Sequence, residues 1–299
     1  MLTYAIILLF LAMGKALQHT VSIPERLPQR INRFVINVSF PAVILLKIPL
    51  LTINTQLLFP IAIPWAGVAL TSLLVIALCR WRGWSKDIEI NLLILTALGN
   101  TGFLGYPMAK AFFDPLMLPY ALVYDQLGTF LGLSTFGIVM ATIYAGDQRI
   151  SVSRIFRKIV LFPPFITLMV ALFIPPEWIT GAITQALELL SLTIIPLTML
   201  SIGMQFQLRI ERELRTPIIS GLAIKMILLP LFAVVAGHLF AVDEQIRDIT
   251  IFMAALPPMI TAAALLISHD LAPRLAVAIL GFGTIISLVT IPIWNLVLS

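Results

Sequence analysis

Apolar residues fall in long runs along this chain, separated by short polar joins. The runs occupy 2–18, 32–52, 58–79, 90–113 and 116–144, and then, beyond a polar stretch from Gly146 to Lys158, 157–175, 179–204, 216–240, 248–268 and 274–298. Each is long enough for a helix to cross a hydrocarbon core of about 30 Å. The alternating segments of about ten residues that mark an outer-membrane barrel are absent. The pattern predicts an all-α polytopic membrane protein with ten transmembrane helices.

Composition agrees with that pattern. The 299 residues are 60% hydrophobic and 11% charged, with a mean hydropathy of +1.05. Soluble domains run at about 45–50% apolar and about 25% charged. The net charge of +5 has its source in the joins. Those after runs one, three, five, seven and nine hold Arg26, Arg30, Arg33, Arg80, Arg82, Lys86, Arg149, Arg154, Arg157, Lys158, Arg209, Arg212, Arg215 and Arg274; the intervening joins hold only Lys110 and Arg247. Basic residues gather in cytoplasmic loops, so this alternation predicts both termini on the non-cytoplasmic side of a plasma (bacterial inner) membrane. No basic stripe with interleaved aromatics suggests nucleic acid. The single cysteine, Cys79, leaves no intrachain disulfide and no multi-cysteine metal site. Metalloprotease, nucleophile-elbow and phosphate-loop motifs are also missing, so neither an enzyme nor a cofactor is expected.

The polar stretch divides the chain into a first five-helix repeat (1–146), a cytoplasmic linker (147–156) and a second repeat (157–299). Five is odd, so related halves would be inverted with respect to the membrane, a common transporter plan. The halves also match in their irregularities. The second run of each carries a mid-helix proline, Pro41 and Pro196. The fourth is interrupted more severely: "ALGNTGFLGYP" holds Gly99, Asn100, Thr101, Gly102, Gly105 and Pro107, and "AALPPMITAAALL" holds Pro257 and Pro258. Proline removes an amide donor, and glycine weakens a helix. Broken backbone inside a bilayer is tolerated only where protein buries it or it lines a water-filled cavity. A half-helix starting at mid-membrane presents bare amides and a positive dipole end, a ready anion site.

At these residues the chain resembles the auxin efflux carrier family, which includes plant auxin carriers and bacterial organic-acid permeases. "INRFV" followed by Pro41 resembles the start of that family's second span, and "NTGFLGYP" resembles its plant pattern N-T-L-V-M-G-I-P. "SIGM" (Ser201 to Met204), Lys225 with Pro230, and "ALPP" (Ala255 to Pro258) follow in matching order. The resemblance implies crossed broken helices four and nine, substrate at their crossing, and export or import of small organic anions by an elevator-like movement. It places Asn100 and Thr101 in the substrate site, with Gly102, Pro257, Pro258 and Thr261 around them. It makes Pro107 the crossing proline of span four; the matching position of span nine is Ala262, one turn beyond the Pro257–Pro258 pair. A homodimer is implied by the resemblance alone.

Ionisable residues at membrane depth are costly and mark function by default. Asp125, in "YDQLGTF", lies deep enough for desolvation to penalise its charged form, which makes it a candidate proton carrier. Glu188 is a second such carboxylate. Lys225 would either neutralise a carboxylate substrate or pair with Asp125 or Glu188. Lys47 divides between reaching for the interface and lining a cavity. The expected function is secondary transport of a small organic anion such as a carboxylate across the lipid bilayer. A sodium-coupled bile-acid-type symporter and a non-transporting sensor of organic acids are the alternatives.

Overall fold

The computed structural model describes residues 2–20, 24, 26–146, 151–205 and 211–298; Arg149, Arg209 and residues 147–150 of the expected linker lie outside them. The described residues form helices and no strand. In chain order they are α1 (Leu2–Thr20), α2 (Leu27–Leu50), α3 (Thr55–Arg82), α4 (Lys86–Ala97), α5 (101–112), α6 (Leu118–Tyr144), α7 (Val152–Val160), α8 (Pro163–Ala171), α9 (Gly181–Gln205), α10 (Arg212–Leu239), α11 (Glu244–Ala254), α12 (Ile260–Ser268) and α13 (Pro273–Leu298). Six of these are long and apolar enough to cross a membrane: α2, α3, α6, α9, α10 and α13. The protein is therefore an integral membrane protein.

The apolar runs 90–113 and 248–268 are each divided in two, α4 from α5 and α11 from α12, as their glycines and prolines predict. A third division was not expected. The run 157–175 forms only α8 inside it, because Pro163 and Pro164 cannot continue α7 and instead open a new helix. At nine residues, α8 spans roughly 14 Å, short of a full crossing.

Prolines also shape the unbroken helices. Wide π-type turns cover Val35–Ser39, Thr101–Gly105 and Ile224–Leu228, and each ends two residues before a proline: Pro41, Pro107 and Pro230. In all three, the residue just before the proline donates its amide to the carbonyl five residues back: Phe40 to Val35, Tyr106 to Thr101 and Leu229 to Ile224. The ring would clash with the carbonyl four residues behind it, and widening the preceding turn relieves that clash. Each proline thus sets an extra residue into the helix one turn ahead of itself.

Two close contacts hold the halves together. Helix α1 packs along the second half of α9 backbone to backbone: a Cβ on Gly203 would stand 2.2 Å from the Leu11 carbonyl oxygen, and one on Gly14 would stand 2.3 Å from the Leu200 carbonyl oxygen. Between α2 and α9, the Ser39 and Thr193 hydroxyls meet at 2.7 Å, just ahead of Pro41 and Pro196. The two proline-softened helices touch at their irregular points.

Gly203→Val drives a branched side chain into the Leu11 carbonyl and is expected to cost at least about 2 kcal/mol of stability. Thermal unfolding in detergent checks this, with Leu73→Ala, at a position 69% exposed on α3, expected to unfold like the parent protein.

Candidate functional site

Helix α4 ends at Ala97, and α11 ends at Ala254; between each and its continuation the chain is extended and passes its counterpart. Gly99 pairs antiparallel with Pro258. The Asn100 amide donates to the Pro257 carbonyl at 2.8 Å, and the Met259 amide donates to the Leu98 carbonyl at 3.0 Å. Proline suits position 258 because an antiparallel pair needs no donor there. Breaking a helix leaves amides and carbonyls orphaned in an apolar medium, and each interruption here supplies partners to the other. The crossing therefore lies at Gly99 and Pro258. Pro107 stands about two turns beyond it inside α5, and Ala262 about one turn beyond it inside α12. A proline distorts the turn ahead of itself, and Pro107 widens Thr101–Gly105 rather than breaking the chain.

On one side of the crossing the two half-helices begin, and a cavity of about 400 Å³ opens beside them. Gly102 and Phe103 of α5, Met259 just ahead of α12 and Thr261 within it border the cavity, so first-turn residues from both half-helices reach one space. Asp125, Gln126 and Ser134 of α6 form its polar wall. Phe40, Phe130, Phe162 and Leu265 supply apolar surface, with Phe130 and Phe162 stacked at 4.0 Å, and Lys158 joins the lining from α7.

Asp125 is 5% exposed and accepts from the Thr101 hydroxyl at 2.5 Å and the Gln126 amide at 2.6 Å. It lies on the π-type stretch Tyr124–Phe130 of α6. Gly102 lets it approach: a Cβ there would stand 3.3 and 3.5 Å from the two carboxylate oxygens. The carboxylate thus sits at the positive end of α5, where the helix dipole favours a negative charge. Several polar groups around it lack partners. The Asn100 Nδ2, Gln126 Oε1, Ser134 Oγ and Thr261 Oγ1 atoms are buried with no hydrogen bond. Leaving such a group unsatisfied costs about 1–3 kcal/mol each, and three of them, on Gln126, Ser134 and Thr261, belong to residues that line the cavity.

Lys225 occupies the opposite side of the crossing. It is 0% exposed, donates to the Ala254 carbonyl at 3.0 Å, and packs its amino group against Gly99. Its charge therefore meets the carbonyl end of α11. Pairing with Asp125 or Glu188 is ruled out, since among the described residues the ion pairs join Lys86 to Glu89, Arg247 to Glu244 and Asp248, and Arg274 to Glu211. A helix carboxyl end takes the place of a counter-carboxylate.

The other expected residues divide. Thr101 and Asp125 come together directly, and Gly102 and Thr261 face the same cavity. Asn100 is 1% exposed behind the cavity wall. Glu188 lies apart, on a second cavity shared with Lys47 and Lys110. Sequence reasoning missed Gln126, Ser134 and Lys158. Gln126 carried a signal as an amide beside Asp125 in an apolar run; Lys158 was absorbed into the charge alternation of the joins.

The profile of the family described as membrane transport protein matches residues 2–295. A protein of Methanothermobacter thermautotrophicus described as an uncharacterized transporter is 30% identical over 301 aligned residues, covering 98% of this chain and 96% of its own. A second uncharacterized transporter, from Methanocaldococcus jannaschii, is 25% identical over 281 residues, covering 90% of this chain and 89% of its own. The match spans the crossing, both half-helices and every residue of the cavity, and the chain belongs to the membrane transport protein family, the auxin efflux carrier group that its motifs resemble.

Proposed function

We propose that this protein is a secondary transporter of small organic anions, binding a carboxylate at the amide ends of α5 and α12 and moving it together with a proton on Asp125. The observation that carries the reading is the cavity beside both half-helix starts, ringed by polar groups that have no partner. Bare first-turn amides from two helices supply donors and positive dipole ends without any arginine. Asn100, Thr101 and Thr261 add side-chain hydrogen bonds, and the aromatic wall suits the hydrocarbon part of an organic acid.

Asp125 sets the coupling. When it is charged, it draws on the α5 dipole and engages the Thr101 hydroxyl. A substrate carboxylate about 4 Å away would then be repelled by about 4 kcal/mol at an effective dielectric of 20. That repulsion cancels the gain from about two charge-assisted hydrogen bonds of about 1.5–3 kcal/mol each, so a charged Asp125 weakens substrate binding. When Asp125 is protonated, the repulsion disappears and the carboxyl becomes a donor. Anion and proton therefore bind together, and transport into the compartment of higher pH is favoured.

The ten apolar runs fit two inverted five-helix repeats, residues 1–146 and 157–299, joined on the cytoplasmic side. In this reading the crossed segments and their cavity move as a unit against α1, α2, α8 and α9, giving alternating access of the elevator type.

Proteoliposomes offered a panel of labelled mono- and dicarboxylates provide the test. Asn100→Ala is expected to lower apparent affinity by about tenfold or more, the effect of losing one buried donor; transport equal to the parent protein removes Asn100 from the site. The second prediction concerns pH. Uptake by the parent protein rises as external pH falls, because the protonated form of Asp125 is the competent one, whereas Asp125→Asn is fixed in the neutral state and loses that slope. A slope unchanged in Asp125→Asn assigns the proton to another group.

A further inference from the structure

A second cavity, of about 580 Å³, lies along the same helices as the first. On α2 the first cavity takes Val35, Ile36 and Phe40, and the second takes Leu46, Lys47, Pro49 and Leu50. On α5 the first takes Gly102 and Phe103, and the second takes Tyr106 and Lys110. The two spaces therefore lie in series. Between them the rings of Phe40 and Tyr106 meet edge to face, with centroids 6.2 Å apart and planes at 68°. This pair, contributed by α2 and α5, stands where the linings of the two cavities meet, Phe40 in the first and Tyr106 in the second.

The second cavity is more polar than the first. Helix α9 turns Thr184, Glu188 and Ser191 towards it, at a spacing of four and three residues that places them on one face. A polar stripe of this kind facing lipid would be costly, and the cavity gives it an alternative to lipid. Lys47 and Lys110 are both half-buried there, and among the described residues neither makes an ion pair or a hydrogen bond. Both ammonium-bearing side chains line this one cavity. Two partly desolvated ammonium groups that repel each other, with Glu188 within 4 Å of neither, lack a counterion. An anion placed between them removes the repulsion and gains charge-assisted hydrogen bonds from both.

We propose that Lys47 and Lys110 form a second carboxylate site, which holds the anion on the far side of the Phe40–Tyr106 contact from the Asp125 cavity. A dicarboxylate suits it best, with one carboxylate for each ammonium. The site rests on the transport reading for its purpose: it concentrates anions next to the contact that must part before they reach Asn100 and Asp125. Lys110 stands on the same half-helix as Thr101, about two and a half turns further on, so movement of α5 carries this lysine relative to Lys47 on α2. Anion binding between the two is thereby tied to the position of α5.

Lysine acetylation by a water-soluble active ester, read by mass spectrometry on the purified protein with succinate as probe, tests the site without measuring transport. At ten times its half-protecting concentration, succinate is expected to slow labelling of Lys47 and Lys110 by about tenfold. Lys86, 77% exposed in its pairing with Glu89, should label at an unchanged rate. Asn100→Ala should leave the protection intact, and Lys47→Gln should abolish it at Lys110. Labelling unaffected by succinate, or protection lost in Asn100→Ala, overturns the proposal. In proteoliposomes of known orientation, the Lys47→Gln/Lys110→Gln protein should need about tenfold more acid for half-maximal rate from this cavity's side alone, with arginine at both positions restoring it. An equal change from both sides also overturns it. Protection that persists in a protein moving no carboxylate retains the site and rejects the transport reading; transport without protection does the reverse.

Discussion

Two broken helices can exist inside an apolar medium only if the backbone groups freed by the breaks find partners, and here they find them in each other. The Asn100 amide and the Pro257 carbonyl, with the Met259 amide and the Leu98 carbonyl, close the central part of the gap. Lys225 closes another part by donating to the Ala254 carbonyl. What this pairing leaves over are the first amides of α5 and α12, and first-turn residues of both helices, Gly102, Phe103 and Thr261, line the cavity. The pairing thus decides which backbone groups are spent on structure and which remain for a ligand.

Charge follows the same geometry. Helix dipoles place partial positive charge where α5 and α12 begin and partial negative charge where α4 and α11 end. The buried carboxylate, Asp125, lies at the first kind of end, and the buried ammonium, Lys225, lies beside the second. Among the described residues neither has an oppositely charged side chain as partner, although an isolated charge at such depth costs several kcal/mol. Backbone dipoles and short hydrogen bonds carry the compensation instead. Asp125 can consequently change its charge without stranding a salt-bridge partner, and Lys225 holds the crossing without engaging the cavity.

Much of this was legible in the chain. The glycine cluster at 99–105 and the Pro257–Pro258 pair announced the two interruptions, because both residue types act locally on the backbone. Asp125 stood out as a carboxylate in an apolar run. The position of the crossing did not follow, since Pro107 looks in sequence like a helix breaker, and whether a proline breaks or widens a helix depends on what packs around it. Pro230 is the same case, and its widened turn is where Lys225 sits. The partner of Lys225 was hidden for a different reason: a main-chain carbonyl has no signature among side chains. Gln126, Ser134 and Thr261 converge only through the crossing of helices far apart in sequence, and Lys47 and Lys110 are 63 positions apart.

The Gly99–Pro258 contact is made almost wholly of main-chain atoms, and that has a consequence for how such proteins diversify. Side chains lining the cavity can be exchanged over generations without loosening the joint that holds them, so cargo preference is free to drift while the architecture persists. Insertions and deletions are a different matter. Losing one residue between Leu98 and Asn100 would rotate the whole of α5 by about 100° and turn its lining away from the cavity, so lineages should vary here by replacement and hardly ever by length.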